Sequence, residues 1–325
     1  MITRWTACSK HWIPCFEPAR PLAMSSGVII NKLALIGVGL IGGSLTRALK
    51  RNGAVGEVVG ASRTRETLRR ALELGVIDRA EDEVEAAVTD ADMVVIATPM
   101  QTIPVILARL ENCMDPRTVV TDVGSAKGYV VKAVDTGFAG HRNRFVPGHP
   151  IAGREHAGVE ASTADLFENK TVVLTPGAYT DPDASDLVSA MWRATGAIVE
   201  LMDAETHDRL LAATSHLPHV VAYALVDYLA QQDESGMLFR LAAAGFYDFT
   251  RIASSDPVMW RDICLTNREE LLAVIRGYRG KIDQLIDAID GSDGGALRDC
   301  FERSKQSRDA GLDSKSGAAG ERRPT

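Results

Sequence analysis

Residues 33–43 read Leu33-Ala34-Leu35-Ile36-Gly37-Val38-Gly39-Leu40-Ile41-Gly42-Gly43, and the way this stretch must bend decides the fold. Four apolar residues in a row suit a strand covered on both faces. The glycines then permit a tight turn, a close backbone approach to a pyrophosphate, and close packing of the next helix on the strand. A helix-forming run at 40–51 follows at once. Its first N–H groups lack partners within the helix, so phosphate charge is favoured at that end. The candidate dinucleotide contacts here are Gly37, Gly39, Leu40, Ile41 and Gly42.

Outward from this turn, short β-branched runs at 58–61, 93–98, 118–122, 145–147 and 171–174 alternate with amphipathic stretches at 65–74, 103–111 and 127–134. That alternation predicts an α/β doubly wound (Rossmann), mostly parallel sheet. After Pro176 strand signals nearly stop, apart from 198–201, and from Ala204 to Ile289 the apolar spacing is helical almost throughout. A second, all-α domain is expected there, with long apolar helices that bury against a second copy of the chain. The expected divisions are 1–30 a disordered extension, 31–201 the dinucleotide-binding domain, 202–309 the helical dimerisation and substrate domain, and 310–325 a disordered tail too polar to pack.

Composition narrows the function classes. The 325 residues carry 36 basic and 43 acidic side chains, a net charge of −7. That excludes the basic footprint of a nucleic-acid backbone binder. No apolar run approaches the roughly 18 residues that span a bilayer, so no membrane partner is expected. The cysteines, Cys8, Cys15, Cys113, Cys264 and Cys300, form no CxxC pair, which fits reduced thiols and a cytoplasmic location. No metal is assigned: Cys8, His11 and Cys15 lack a fourth ligand nearby, and His207, His216 and His219 do not share one helix face.

The end of the second strand reads Gly60-Ala61-Ser62-Arg63. An acidic residue there would accept the ribose hydroxyls of NAD and repel a 2′-phosphate. Instead Ser62 can donate a hydrogen bond and Arg63 can pair with phosphate, with Arg65 or Thr67 in support, so NADP is the preferred cofactor and NAD the alternative. Two more turns, Ala97-Thr98-Pro99 and Val123-Gly124-Ser125, should face the nicotinamide half, because ligands of open parallel sheets bind beyond the carboxyl ends of the strands.

The candidate chemistry lies farther along. Gly148-His149-Pro150-Ile151-Ala152-Gly153 puts a histidine at that same carboxyl edge, where an imidazole titrating near neutrality can take an alcohol proton while hydride leaves the same carbon. His207-Asp208 and Ser215-His216-Leu217-Pro218-His219 lie on a helical stretch, and the spacing of Asp208, Ser215 and His219 places them on one face. Pro218 inside that helix should kink it and leave a carbonyl to be satisfied elsewhere. Arg251, amid Phe249, Ile252 and Trp260, is expensive to bury unpaired. It wants either a structural carboxylate, the first expectation from the residues alone, or a substrate carboxylate.

Taken in order, the glycine turn, Asp122-Val-Gly-Ser125-Ala-Lys127, the Gly148–Gly153 segment, His207-Asp208, the Ser215–His219 segment and Arg251 to Trp260 resemble the prephenate/arogenate (cyclohexadienyl) dehydrogenase family over roughly residues 32–308. The resemblance implies oxidative decarboxylation of prephenate or arogenate on the tyrosine pathway, with hydride passing to NAD(P), by a homodimer joined through its helical domain. It implies that His149 meets the ring hydroxyl of the substrate with Ser125 beside it. His219, Arg251 and, less directly, His216 would hold the substrate, with Asp208 and Trp260 supporting the pocket. The rival readings are another NADP-dependent oxidoreductase, of the β-hydroxyacid dehydrogenase or pyrroline-carboxylate reductase type, or a catalytically silent nucleotide sensor on the same fold.

Overall fold

The computed structural model describes residues 27–154 and 156–320, with side chains described to Leu312. Of the expected extension at 1–30, residues 1–26, with Cys8, His11 and Cys15, lie outside the described residues, as do the last five residues. The chain divides into two compact units, which meet in sequence at His207 and Asp208.

The first unit runs β1 (Ile30–Ile36), α1 (Leu40–Arg51), β2 (Val55–Ala61), α2 (Arg65–Glu73), β3 (Arg79–Glu81), α3 (Val84–Val88), β4 (Met93–Ile96), α4 (Ile103–Leu110), β5 (Val119–Asp122), α5 (Lys127–Gly137), β6 (Phe145–Val146), β7 (Gly148–Pro150), β8 (Thr171–Leu174), α6 (Pro182–Ala194) and β9 (Ile198–Leu201). Six strands pair in the order β3-β2-β1-β4-β5-β6, all parallel, so the chain order reverses between β1 and β4. Side chains of a strand alternate between faces. Leu33 and Leu35 of β1 therefore enter one core with α1 and Trp192 of α6, while Ala34 and Ile36 enter another with Leu107 of α4 and Val130 of α5. Each fully buried Leu or Ile contributes about 1.5–3 kcal/mol, so two-sided burial is what holds the sheet.

Two expectations about the strands need correction. The run at 171–174 is not a member of the main sheet: β8 pairs antiparallel with β7 and parallel with β9 in a separate three-stranded sheet. The main sheet reaches six by way of β3, whose three residues Arg79-Ala80-Glu81 carry no apolar alternation. Ile30, counted with the extension, is instead fully buried as the first residue of β1.

The second unit is helical: α7 (Ala204–Leu211) leads into it, followed by α8 (Leu217–Ala230), α9 (Ser235–Leu241), α10 (Ala244–Thr250), α11 (Pro257–Thr266), α12 (Arg268–Asp290) and α13 (Gly294–Gly320). The stretch after Ala204 is not one kinked helix. A π turn over Ala212–His216 separates α7 from α8. Pro218 falls in the first turn of α8, where its missing N–H costs nothing. The backbone of α13 stays helical to Gly320 through the segment expected to be a tail, and residues 310–312 there are exposed. Among the described residues no helix is long and apolar enough to cross a membrane.

Candidate active site

Gly37 sits at φ +96°, and a Cβ there would lie 2.5 Å from the Ala97 carbonyl oxygen and 2.8 Å from the Thr98 side chain. Only glycine tolerates that conformation cheaply, and its smallness lets the Ala97–Pro99 turn close against the glycine turn. A Cβ on Gly42 would strike the Gly37 carbonyl at 2.6 Å, whereas one on Gly39 would meet nothing within 4 Å. Gly39 is the N-cap of α1, no side chain caps that helix, and its first turn holds no acidic residue. The helix end is thus open and electropositive, the cradle a pyrophosphate needs. Leu40 and Ile41 pack their side chains on the core, leaving their backbone to that cradle.

The other expected cofactor positions divide. Ser62 is half-buried, and Arg63 is exposed with no ion pair among the described residues. Arg65 is instead committed to Asp82, at 2.6 and 3.2 Å. The Thr67 hydroxyl lies 2.7 Å from that of Thr64, which caps α2. Thr98 lies 2.9 Å from the Thr102 hydroxyl, and Pro99 is exposed beside it. The Ser125 N–H points at Met100 Sδ, 3.3 Å away, so the Gly124–Ser125 turn abuts the segment just after Pro99.

Asp122 and Lys127, both fully buried, bind the next part of the site together. Lys127 Nζ donates to Asp122 Oδ2 and to the Gly148 carbonyl, both at 2.6 Å. Asp122 in turn accepts from Gly124 N–H at 2.7 Å and Gly148 N–H at 3.1 Å. Buried charge is tolerable only when paired and hydrogen-bonded. Here that requirement ties the end of β5, the Gly124–Ser125 turn and the start of β7 to one point. His149 therefore stands at the carboxyl edge of the main sheet, on a short strand of the second sheet rather than in a loop after β6.

The half-buried His149 meets His207, which is fully buried: Nδ1 lies 2.9 Å from His207 Nε2. Two facing imidazole nitrogens need one donor and one acceptor. With His149 Nδ1–H donating, its Nε2 is left as the basic nitrogen. The sequence names His207 only as half of a His207-Asp208 pair; its partnership with His149 spans 58 residues and left no local signal.

In the second unit, Asp208, His216 and Trp260 are buried and His219 is half-buried. The imidazole of His219 stacks on the indole of Trp260 with ring centroids 3.6 Å apart, and that of His216 lies steeply tilted to the indole with centroids 6.1 Å apart. His219 Nδ1 lies 2.9 Å from the Ser215 carbonyl. Burial pulls the titration of His219 below the ordinary imidazole range, with the charge of Arg251 adding to it and the Ser215 bond opposing it. The π turn breaks the even spacing that had put Asp208, Ser215 and His219 on one regular face. Arg251 is exposed at the start of a 3-10 turn, so the penalty for burying it does not arise. Asn267, absent from the expected site, donates to the Asp208 carbonyl at 2.9 Å and meets His216 Nδ1 at 3.1 Å. No cluster of metal-ligating side chains occurs among the described residues.

An all-parallel sheet with its order reversing beside a glycine turn, and a histidine fixed at that edge, defines a nicotinamide-dinucleotide oxidoreductase. Residues 45–201 match the family model described as prephenate dehydrogenase, nucleotide-binding domain, and residues 203–303 the one described as prephenate dehydrogenase, dimerization domain. The chain belongs to the prephenate dehydrogenase family. It is 34% identical to a cyclohexadienyl dehydrogenase of Zymomonas mobilis over 86% of this chain and 96% of that one. It is 38% identical to a prephenate dehydrogenase of Bacillus subtilis, over 86% of this chain and 76% of the relative. Among solved structures, prephenate dehydrogenase from Aquifex aeolicus, in complex with hydroxyphenyl propionate and NAD+, superposes with a TM-score of 0.80 at 37% identity, covering 89% of this chain and 99% of that one. The β-hydroxyacid dehydrogenase and nucleotide-sensor readings are not favoured.

Proposed function

We propose that this protein oxidises prephenate, arogenate or both with loss of carbon dioxide, giving 4-hydroxyphenylpyruvate or tyrosine. The observation that carries the proposal is His149, fixed at the carboxyl edge of the sheet by the Asp122–Lys127 pair and hydrogen-bonded to a buried second imidazole.

The chemistry follows from those contacts. His149 Nε2 takes the proton from the hydroxyl on the substrate ring, and Ser125 orients that hydroxyl. His207 accepts from His149 Nδ1–H throughout, so the imidazolium that forms keeps its partner and no rearrangement is needed. As the proton leaves, the ring carbon becomes a better hydride donor. The bound nicotinamide supplies the hydride acceptor. Departure of the carboxylate across the ring as carbon dioxide restores aromaticity, and the protein's share of the work is orientation and charge placement. His219 and Arg251 hold the substrate, the guanidinium on a carboxylate, with His216, Asp208 and Trp260 shaping their surroundings.

The open N-terminus of α1 at Gly39 fits a pyrophosphate, and the exposed Arg63, without an ion pair among the described residues, with Ser62 beside it favours NADP over NAD. The enzyme works as a homodimer through its helical unit. A two-by-two assay of both substrates with both nucleotides, followed by nicotinamide absorbance, tests the reading; no turnover in any combination sinks it. Ser62→Asp should move the ratio of kcat/KM values toward NAD, and an unchanged ratio would remove this strand end from cofactor choice.

A further inference from the structure

The side chain of Asn267, the buried N-cap of α12, reaches back to the π turn, and its two hydrogen bonds determine where a neighbouring imidazole carries its proton. One end of its amide lies 2.9 Å from the Asp208 carbonyl oxygen. A carbonyl can only accept, so that end is the NH₂ and not the C=O. The same nitrogen lies 3.1 Å from His216 Nδ1, and with one hydrogen spent on Asp208 it presents the other there. His216 Nδ1 is therefore an acceptor. Its ring, 1% exposed, carries its single N–H on Nε2, because a proton added at Nδ1 would face an amide hydrogen. His219 is held the opposite way: the Ser215 carbonyl 2.9 Å from Nδ1 makes that nitrogen the donor and leaves Nε2 as acceptor. Both rings pack against one indole, that of Trp260.

We propose that Asn267 is a positioning residue which locks His216 as the neutral Nε2–H tautomer, the opposite of the Nδ1–H form that the Ser215 carbonyl imposes on His219. A carboxylate at 267 could not replace it, since both of its partners are acceptors. Asn267 acts through His216 and not by contact with substrate or cofactor. Its kinetic consequence rests on the proposed substrate-holding role of His216 and His219, whereas the tautomer does not.

Long-range ¹H–¹⁵N correlations of the histidine rings in the full-length protein read the tautomers directly, with His216 assigned by its loss in His216→Gln. The expected spectrum shows His216 protonated on Nε2 alone and His219 on Nδ1 alone. Asn267→Asp should transfer or add a proton at His216 Nδ1, and Asn267→Ala should raise KM about tenfold with kcat little changed, the effect of one lost buried hydrogen bond. A wild-type His216 protonated on Nδ1, or a tautomer untouched by Asn267→Asp, overturns the proposal, and the wild-type spectrum can do so even if neither variant folds. An enzyme inactive on both substrates with the expected tautomers would overturn the proposed function and leave the role of Asn267 standing.

Discussion

A histidine works as a base only if the protein decides which of its nitrogens is basic and keeps that choice while the proton moves. In the proposed mechanism His207 supports that choice for His149: with His149 Nδ1–H donating to the buried imidazole 2.9 Å away, Nε2 is left as the base. His149→Asn keeps the size and a hydrogen bond but removes the base, so kcat should fall by on the order of 10² to 10⁴. Single-turnover measurement with saturating substrate and nucleotide checks it, and wild-type turnover would take His149 out of the reaction. His219 makes a different prediction. Its folded-state titration lies below the ordinary value, chiefly through burial. As pH drops below about 6.5, the unfolded chain binds this proton before the folded one does. The stability tied to a neutral His219 is therefore whole above that pH and is lost as pH falls toward the depressed folded value. The slope of Tm against pH between 7 and about 5 should flatten in His219→Gln, and an equal slope would mean that other groups carry it.

At the scale of elements, the Asp122–Lys127 pair joins three segments that the chain meets in sequence as a strand end, a turn and a later strand. Lys127→Met would leave Asp122 as an uncompensated buried charge, which typically costs about 3–5 kcal/mol. Denaturant midpoints should drop accordingly, and Asp122→Asn combined with Lys127→Met should recover part of the loss. A midpoint within error of wild type would show that water reaches the pair. The π turn is the other element that matters: by interrupting α7 and α8 it lets the Ser215 carbonyl take its partner from the His219 ring. Such turns recur at functional sites because they re-aim side chains without ending a helix.

For the whole molecule, α12 leaves Tyr278, Ile282, Ile286 and Ile289 at 40%, 37%, 56% and 65% exposure, at spacings that share one helix face. An apolar stripe of that length is uncommon on a monomer's surface and suits a subunit interface. Ile282→Glu with Ile286→Glu should sediment as a monomer where the unsubstituted chain sediments as the proposed dimer, with loss of thermal stability. A variant still dimeric would direct attention to another helical face.

The strand–glycine–helix turn, the alternation of strands and helices, and the helical second half were all legible from residues alone, because local periodicity and backbone freedom report on burial within a few residues. Motif order also singled out His149, His219, Arg251 and Trp260 as candidates. Short polar β3 stayed hidden, since a three-residue strand is made by its neighbour and not by its own pattern. The second sheet, the pairing of His149 with His207, the clamp of Lys127 on Gly148 and the reach of Asn267 to His216 were decided by tertiary structure only. Each is a bond between residues 21 to 58 apart, fixed by strand register and by the need to satisfy buried polar groups, and no periodicity in a linear sequence encodes such a distance.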